Sequence, residues 1–415
     1  MTNYHDPIKH LNFLRQTLSL DKKPIGFFVS AGCPLSVEMP KGEWPLIPDV
    51  AGLTKYATQE LGSKDGEPDN DFDRLLNEVV KSEKDPENIE DILSFIRSLK
   101  VVAVGNDVRG FNIDALSEIE KNICEKIVEK LDVDLPSENS PYHKLAHWIS
   151  IDRSVPVEIF TTNYDLLMEQ AFEDISIPYF DGFIGSRQSF FDLRAVEDDL
   201  MPDHWTRLWK IHGSINWFQK ENKDVFRTTR TDEINSSHLI YPSHLKYDQS
   251  RKMPYLALID KLSKFIRKPN SLMIMTGYSF NDEHLNDTIL NALKSNPNTM
   301  VIAMLFGDLT YKDDNGDVIE NYPNAVKLAR NRSNLAIWGK DEAIIGTVRG
   351  HWHITDDDFD NSMNLANSIT IAQKKGEDGK ETDEKIYSLN LGDFSKLGEF
   401  LQALIGYNQT NFDEN

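Results

Sequence analysis

Two hydrophobic periods alternate along this chain. Short, nearly continuous apolar runs of strand length stand at Pro24-Ile-Gly-Phe-Phe-Val-Ser30, Pro156 to Thr161, Leu208-Trp-Lys-Ile211, Ser271-Leu-Met-Ile-Met-Thr276, Met300 to Phe306 and Leu335-Ala-Ile-Trp338. Between them apolar residues recur at three- and four-residue spacing, as at Leu166, Leu167, Met168, Ala171 and Phe172, from Leu256 to Phe265, from Leu285 to Leu293 and from Ala325 to Arg332. That spacing is the period of an amphipathic helix. Buried runs alternating with such helices predict an α/β fold: a Rossmann-like, mostly parallel sheet with helices on both faces.

Two stretches depart from the alternation. From Phe72 to about Leu131 only the helical period is present (Leu75, Leu76, Val79; Ile92, Phe95, Ile96; Ile119, Ile123, Ile127), interrupted near Val101 to Phe111, and His143 to Ser150 adds one more helix. After Asp341 the pattern loosens: His351-Trp-His-Ile reads as a strand, Lys374 to Lys385 as a charged turn, and Leu391 to Ile405 as a closing helix. Short strands are expected at Ile177 to Phe183 and His238 to Pro242, with a hairpin through Trp217 and Phe226 and a long connection over 184–206. The expected organisation is residues 1–60 as the first part of the Rossmann-like domain, 61–150 as a helical insertion, 151–340 as the remainder of that domain, and 341–415 as a C-terminal α/β appendage.

Composition narrows the class. A hydrophobic share of 40% beside 27% charged residues is that of a globular protein. The longest apolar stretches, Leu272 to Thr276 and Met300 to Phe306, are far too short to span a membrane. The N-terminus has no basic segment followed by an apolar one, and two cysteines, Cys33 and Cys124, cannot make a disulfide framework, so the expected location is cytoplasmic. A net charge of −22 opposes direct nucleic-acid binding, which needs clustered Lys and Arg. A phosphate-bearing ligand would have to be held by backbone N–H groups and helix termini.

Four strand ends carry candidate chemistry. Glu158-Ile-Phe-Thr-Thr-Asn-Tyr-Asp165 delivers Asn163 and Asp165 to the start of a helix, where open α/β sheets hold ligands; the same two residues suit a helix cap, and the local sequence alone favours the cap. Leu208-Trp-Lys-Ile-His212-Gly-Ser delivers a histidine suited to base work, although a lone turn histidine is more often structural. Val29-Ser-Ala-Gly-Cys-Pro34 is a small-residue turn in which Ser30, Ala31, Gly32 and Cys33 let backbone approach a diphosphate, with an ordinary strand-to-helix turn as the other reading. Gly277-Tyr-Ser279-Phe-Asn-Asp282 is the fourth, again a ligand site or a plain turn.

The order of these motifs resembles the sirtuin family. Ser30-Ala31-Gly32 stands where that family has Gly-Ala-Gly, Ile47-Pro48-Asp49 where it has its Ile-Pro-Asp loop, Thr161-Thr-Asn-Tyr-Asp165 where it has Thr-Gln-Asn-Ile-Asp, followed by His212-Gly213 and Gly277-Tyr-Ser279. The arginine that usually follows Ile-Pro-Asp-Phe is absent, and two cysteines cannot build the four-cysteine zinc module of the deacylases, so no metal is expected. The patterns Ala31-Gly-Cys-Pro34, Ile211-His-Gly-Ser214 and Gly277-Tyr-Ser-Phe-Asn-Asp282 are closer to bacterial sirtuin-like proteins of antiphage defence.

That resemblance implies an NAD+ glycohydrolase with NAD as substrate, and Asn163 and His212 as its catalytic residues. It puts Ser30, Ala31, Gly32 and Cys33 at the diphosphate, Gly277 and Ser279 on the adenosine side, and Asp49 and Asp165 toward the nicotinamide end or ordering the loop. It further implies a homo-oligomer partnered by a HerA-type ATPase, with neither membrane nor direct nucleic-acid contact. The alternatives are a zinc-free NAD-dependent protein deacylase and a non-catalytic module that senses NAD or ADP-ribose.

Overall fold

The buried runs lie side by side in one sheet. In the computed structural model, which describes residues 3–64, 68–137, 139–220, 224–228, 237–240, 253–355, 368–375 and 381–406, they appear in the spatial order Leu335–Trp338, Met300–Met304, Leu272–Thr276, Ile25–Val29, Glu158–Thr161, Thr206–Lys210 and Tyr179–Phe180, all parallel. Glu342–Ile345 and Val348–Trp352 continue it antiparallel, so the sheet runs past residue 340, and Tyr4–His5 closes the ten-stranded edge parallel to Val348–Trp352.

The alternation within each strand explains why both faces are covered. Phe27, Ile159, Leu208, Ile274 and Ile302 point into one core, and Phe28, Phe160, Trp209, Met273 and Val301 into another. The first core takes Pro7–Leu18, Pro141–Ile149, Leu167–Asp174, Phe394–Leu404 and the helices Val50–Leu61, Asp71–Lys81, Ile89–Val102 and Ile113–Leu131. The second takes Tyr255–Arg267, Glu283–Ser295 and Pro323–Arg330. The fold is the α/β class read from the pattern.

Local rules account for the helix ends. Asn70 and Asp73 form a reciprocal capping box at the start of Asp71–Lys81, and Ser140 caps a helix opening on Pro141. The interruption expected near Val101 to Phe111 is a turn closed by a Val108–Phe111 bridge. The hairpin through Trp217 and Phe226 exists, but it belongs to a second, five-stranded sheet in which Gly213–Gln219 pairs with Val225–Arg227, and Ser189–Phe191 and Phe183–Ile184 lie beyond. The expected connection over 184–206 therefore contains a strand, and a short helix at Leu193–Glu197. The expected strand at His238 to Pro242 is Ser237–Ile240, with Tyr241 and Pro242 outside the described residues. Among the described residues no helix is long and apolar enough to cross a membrane.

Strand order decides where a ligand can sit. The chain passes from the central Ile25–Val29 to Glu158–Thr161 on one side, and returns to Leu272–Thr276 on the other. The crevice beyond the carboxyl ends of two strands that diverge in this way is the standard ligand position of an open parallel sheet.

Candidate active site

The loops leaving those strands enclose a cleft of about 270 Å³. Its lining includes Ser30, Ala31, Asn163, Asp165, His212 and Ser279, six residues singled out from the sequence, together with Thr162, Tyr164, Tyr278, Asn281 and Asp282. Ile47, Pro48, Val50 and Leu53 form one wall, and Asn88, Glu90 and Leu131 reach in from the helical insertion.

Backbone stitching holds the two central loops in register. Ile211 N–H donates to Thr161 O (2.8 Å), Ile215 N–H to Tyr164 O (3.0 Å) and Ser214 Oγ to the same carbonyl (3.3 Å). The turn between Thr206–Lys210 and Gly213–Gln219 is thereby fixed against the Asn163 loop, and Gly213 takes the positive φ of 99° that the turn demands. Lys210, fully buried, donates to the main-chain oxygen of Asp165 and to Glu169 Oε1 (2.8 Å).

Asn163 and Asp165 divide the two readings that the sequence left open. Asp165 Oδ1 accepts from Leu167 N–H (3.1 Å), which is the work of a helix-start carboxylate. Asn163 caps nothing: its Nδ2 donates to Ser30 O (3.3 Å), and its Oδ1 is buried with no hydrogen-bond partner in a side chain only 8% exposed. An unpaired buried amide oxygen costs about 1–3 kcal/mol, so a donor is wanted there. The buried Tyr142 hydroxyl, itself without a hydrogen-bond partner and interacting with the same amide, is the protein's own donor beside an incoming one. His212 is 7% exposed, and its Nε2 lies 3.4 Å from Asp282 Oδ2. Asp282 Oδ1 meanwhile accepts from His284 and Leu285 N–H at the start of Glu283–Ser295, so one carboxylate caps a helix and faces the imidazole. Burial pushes the Asp165 carboxyl up to about 6 against the opposing pull of Lys210.

The remaining sequence-predicted residues sit outside the lining. Gly32 and Gly277 pack against each other: Gly32 N–H donates to Gly277 O (3.0 Å), and a Cβ on Gly32 would stand 2.8 Å from Gly277 Cα. Cys33 is fully buried, its Sγ donates to Thr276 O (3.5 Å), and burial pushes the thiol up to about 12, which keeps it neutral and unreactive. The Cys33 N–H is used by Ser30 O, and the Ser30 N–H by Thr276 O. The expected backbone cradle at 30–33 is thus largely bonded within the chain, with Ser30 and Ala31 as its contributions to the cleft. Asp49 is exposed and caps Val50–Leu61 through Gly52 N–H (2.8 Å).

Sequence reasoning did not single out Glu90, Asn88, Tyr164 or Asp282 for the site. Asp282 lay in plain view within Gly277-Tyr-Ser-Phe-Asn-Asp282, but its partner His212 is remote in sequence. Phe280 carries a positive φ of 61° while its carbonyl accepts from Asn286 Nδ2 (2.8 Å), a bend just ahead of Asn281 and Asp282. Among the described residues no group of His, Cys, Asp and Glu side chains is arranged to hold a metal ion.

A protein-family model described as SIR2-like domain matches residues 157–326. That match spans less than half of the chain. The matched stretch contains Asn163, Asp165, His212, Gly277, Ser279 and Asp282, whereas the turn at 30–33, the Asp49 loop and the helical insertion precede it. Among solved structures, the chain is similar to one described as the structural basis for the mechanism and regulation of Sir2 enzymes, at 12% identity over 72% of this chain and 86% of that one, with a TM-score of 0.35. A Sir2–p53 peptide–NAD+ complex is similar at 14% identity over 71% of this chain and 85% of that one, with a TM-score of 0.32. No curated protein matches. Likenesses this loose leave the chemistry of the cleft to be argued from its own residues.

Proposed function

We propose that the cleft hydrolyses the nicotinamide–ribose bond of NAD+. The observation that carries this reading is the buried, unpaired Asn163 Oδ1 beside the His212–Asp282 couple, at the switch point of a parallel sheet. In the reaction the C1′–N bond breaks, water oxygen bonds to C1′, and nicotinamide, ADP-ribose and one proton are released. The leaving group departs neutral, so no general acid is required, in contrast to ordinary glycosides. Asn163 Oδ1 accepts from a ribose hydroxyl or the attacking water, and His212 takes the proton. Asp282 holds the imidazole in place and stabilises the cation it becomes. Tyr164, Leu53 and Leu131 keep bulk water from the oxocarbenium-like ribose.

The wider role follows the motif resemblance: an NAD+-depleting effector of antiphage defence, assembled as a homo-oligomer with a HerA-type ATPase. Co-expression with such an ATPase and size-exclusion chromatography test the assembly; two separate peaks would remove the partner from the reading.

The decisive assay separates NAD+, nicotinamide and ADP-ribose by chromatography after incubation with wild type, Asn163→Ala or His212→Ala, with and without the ATPase. Nicotinamide and ADP-ribose in equal amounts are expected from wild type. Each variant should lose at least about 100-fold, the scale of a removed base or polar transition-state contact. Melting temperatures should stay near that of wild type, because Asn163→Ala also removes an unpaired buried oxygen. Nicotinamide release only with an acyl-lysine peptide would replace this reading by a zinc-free deacylase. Nucleotide binding without turnover in any condition would replace it by a sensor.

A further inference from the structure

One wall of the cleft carries its charge on an unexpected residue. The motif resemblance has Asp49 facing the nicotinamide end or ordering the loop. Asp49 is exposed and engaged with the Gly52 N–H, the second of these, while its neighbours Ile47, Pro48, Val50 and Leu53 line the cleft. The carboxylate on that side is Glu90, in the first turn of Ile89–Val102.

Two observations locate it. Ile89 N–H donates to Thr54 Oγ1 at 2.8 Å, which docks the start of that helix against Val50–Leu61. Glu90 and Tyr164 line the same cleft, and burial first, then the charge of Glu90, hold the Tyr164 phenol well above its ordinary range. The Tyr164 ring in turn lies 6.4 Å from that of His212. Glu90 therefore faces the catalytic loops from the insertion.

The charge balance gives this placement a meaning. Glu90, Asp165 and Asp282 line the cleft with His212, and no lysine or arginine is among the described lining residues. Such a surface attracts a cation and repels phosphate. NAD+ has one positive centre, the pyridinium nitrogen at the bond to be broken, and its charge passes to ribose as that bond lengthens.

We propose that Glu90, brought in by the helical insertion, recognises the cationic nicotinamide–ribose end of the nucleotide from the wall that Asp49 leaves uncharged. The proposal rests on the NAD+ hydrolase reading, and binding measurements separate the two. NADH serves as the probe because it keeps the adenosine and diphosphate but has a neutral dihydronicotinamide. Titration calorimetry on a His212→Ala background would compare NAD+, NADH and ADP-ribose, with and without Glu90→Gln.

The expected result is a loss of about tenfold in NAD+ affinity in Glu90→Gln, about 1.4 kcal/mol. Affinities for NADH and ADP-ribose should change by less than about twofold, which also shows that the variant is folded. In the His212 protein, Glu90→Gln should lower kcat/KM for NAD+ by a similar factor, and Glu90→Asp should restore part of it. Equal losses for all three ligands, or none for NAD+, would overturn the proposal. Wild type that releases no nicotinamide yet prefers NAD+ to NADH through Glu90 would sink the hydrolase reading alone.

Discussion

Two residues apart in one loop, Asn163 and Asp165 meet opposite fates, and the difference is set by what each oxygen finds. The Asp165 carboxylate finds Leu167 N–H, with the buried Lys210 held on the main-chain oxygen, and burial still pushes the carboxyl up to about 6. The sign follows from linkage. A carboxyl raised above its ordinary value of 3.8 holds its proton longer in the folded than in the unfolded chain, so stability falls as pH rises from about 4 to 6. Asp165→Asn keeps an acceptor for Leu167 N–H and removes that cost. Relative to wild type, it should gain roughly 2–3 kcal/mol at pH 8 and almost nothing near pH 4, two pKa units at 1.36 kcal/mol each. Urea unfolding across this range measures it, and an asparagine variant weaker than wild type at pH 8 would show that burial does not govern this group.

Among the elements, the meeting of two strand-end turns controls the floor of the cleft. Gly277 has a φ of 68°, and a Cβ there would stand 2.7 Å from Cys33 N and 2.8 Å from Ser30 O, both backbone atoms that cannot swing aside. Gly277→Ala should therefore destabilise the protein by roughly 2–4 kcal/mol, combining left-handed strain with overpacking. On the proposed NAD+ hydrolase reading it should also weaken nucleotide binding, because Ser30 O anchors Asn163 Nδ2. Thermal melts and ADP-ribose titration read the two effects separately; an alanine variant as stable as wild type would mean that the turns separate freely. The motif Gly-Tyr-Ser marks this position in the sequence, but the reason for its glycine is the turn at Gly32, which lies remote in the chain.

On the scale of the molecule, the last helix supports the site from behind. Phe394–Leu404 packs against Pro141–Ile149, with the rings of Phe394 and Tyr142 5.1 Å apart. Tyr142 in turn lies under the Asn163–Asp165 loop: burial first, then the Asp165 charge, hold its phenol well above the ordinary range. Phe394→Ala should cost about 3–5 kcal/mol, as expected for a fully packed aromatic, and on the proposed reading lower turnover. Phe13→Ala, on an exposed position of Pro7–Leu18, should change stability by less than about 0.5 kcal/mol. Denaturant midpoints for the pair give the comparison, and equal effects would detach the last helix from the core.

The fold class was legible because its cause is local. Strand-length apolar runs such as Leu272–Thr276 and helical spacing such as that of Leu285 to Leu293 are properties of short segments, and a sheet covered on both faces follows from alternating them. That Asn163, His212 and Ser279 border a cleft was legible for the same reason, since each lies just past the end of a strand. What the tertiary structure decided is pairwise and distant: that Asp282 faces His212, that Gly32 and Gly277 fill each other's space, that Asp49 turns outward and Glu90 inward. Those outcomes depend on strand order and on how the helical insertion docks, and contacts between residues far apart in sequence leave no periodic trace in one chain.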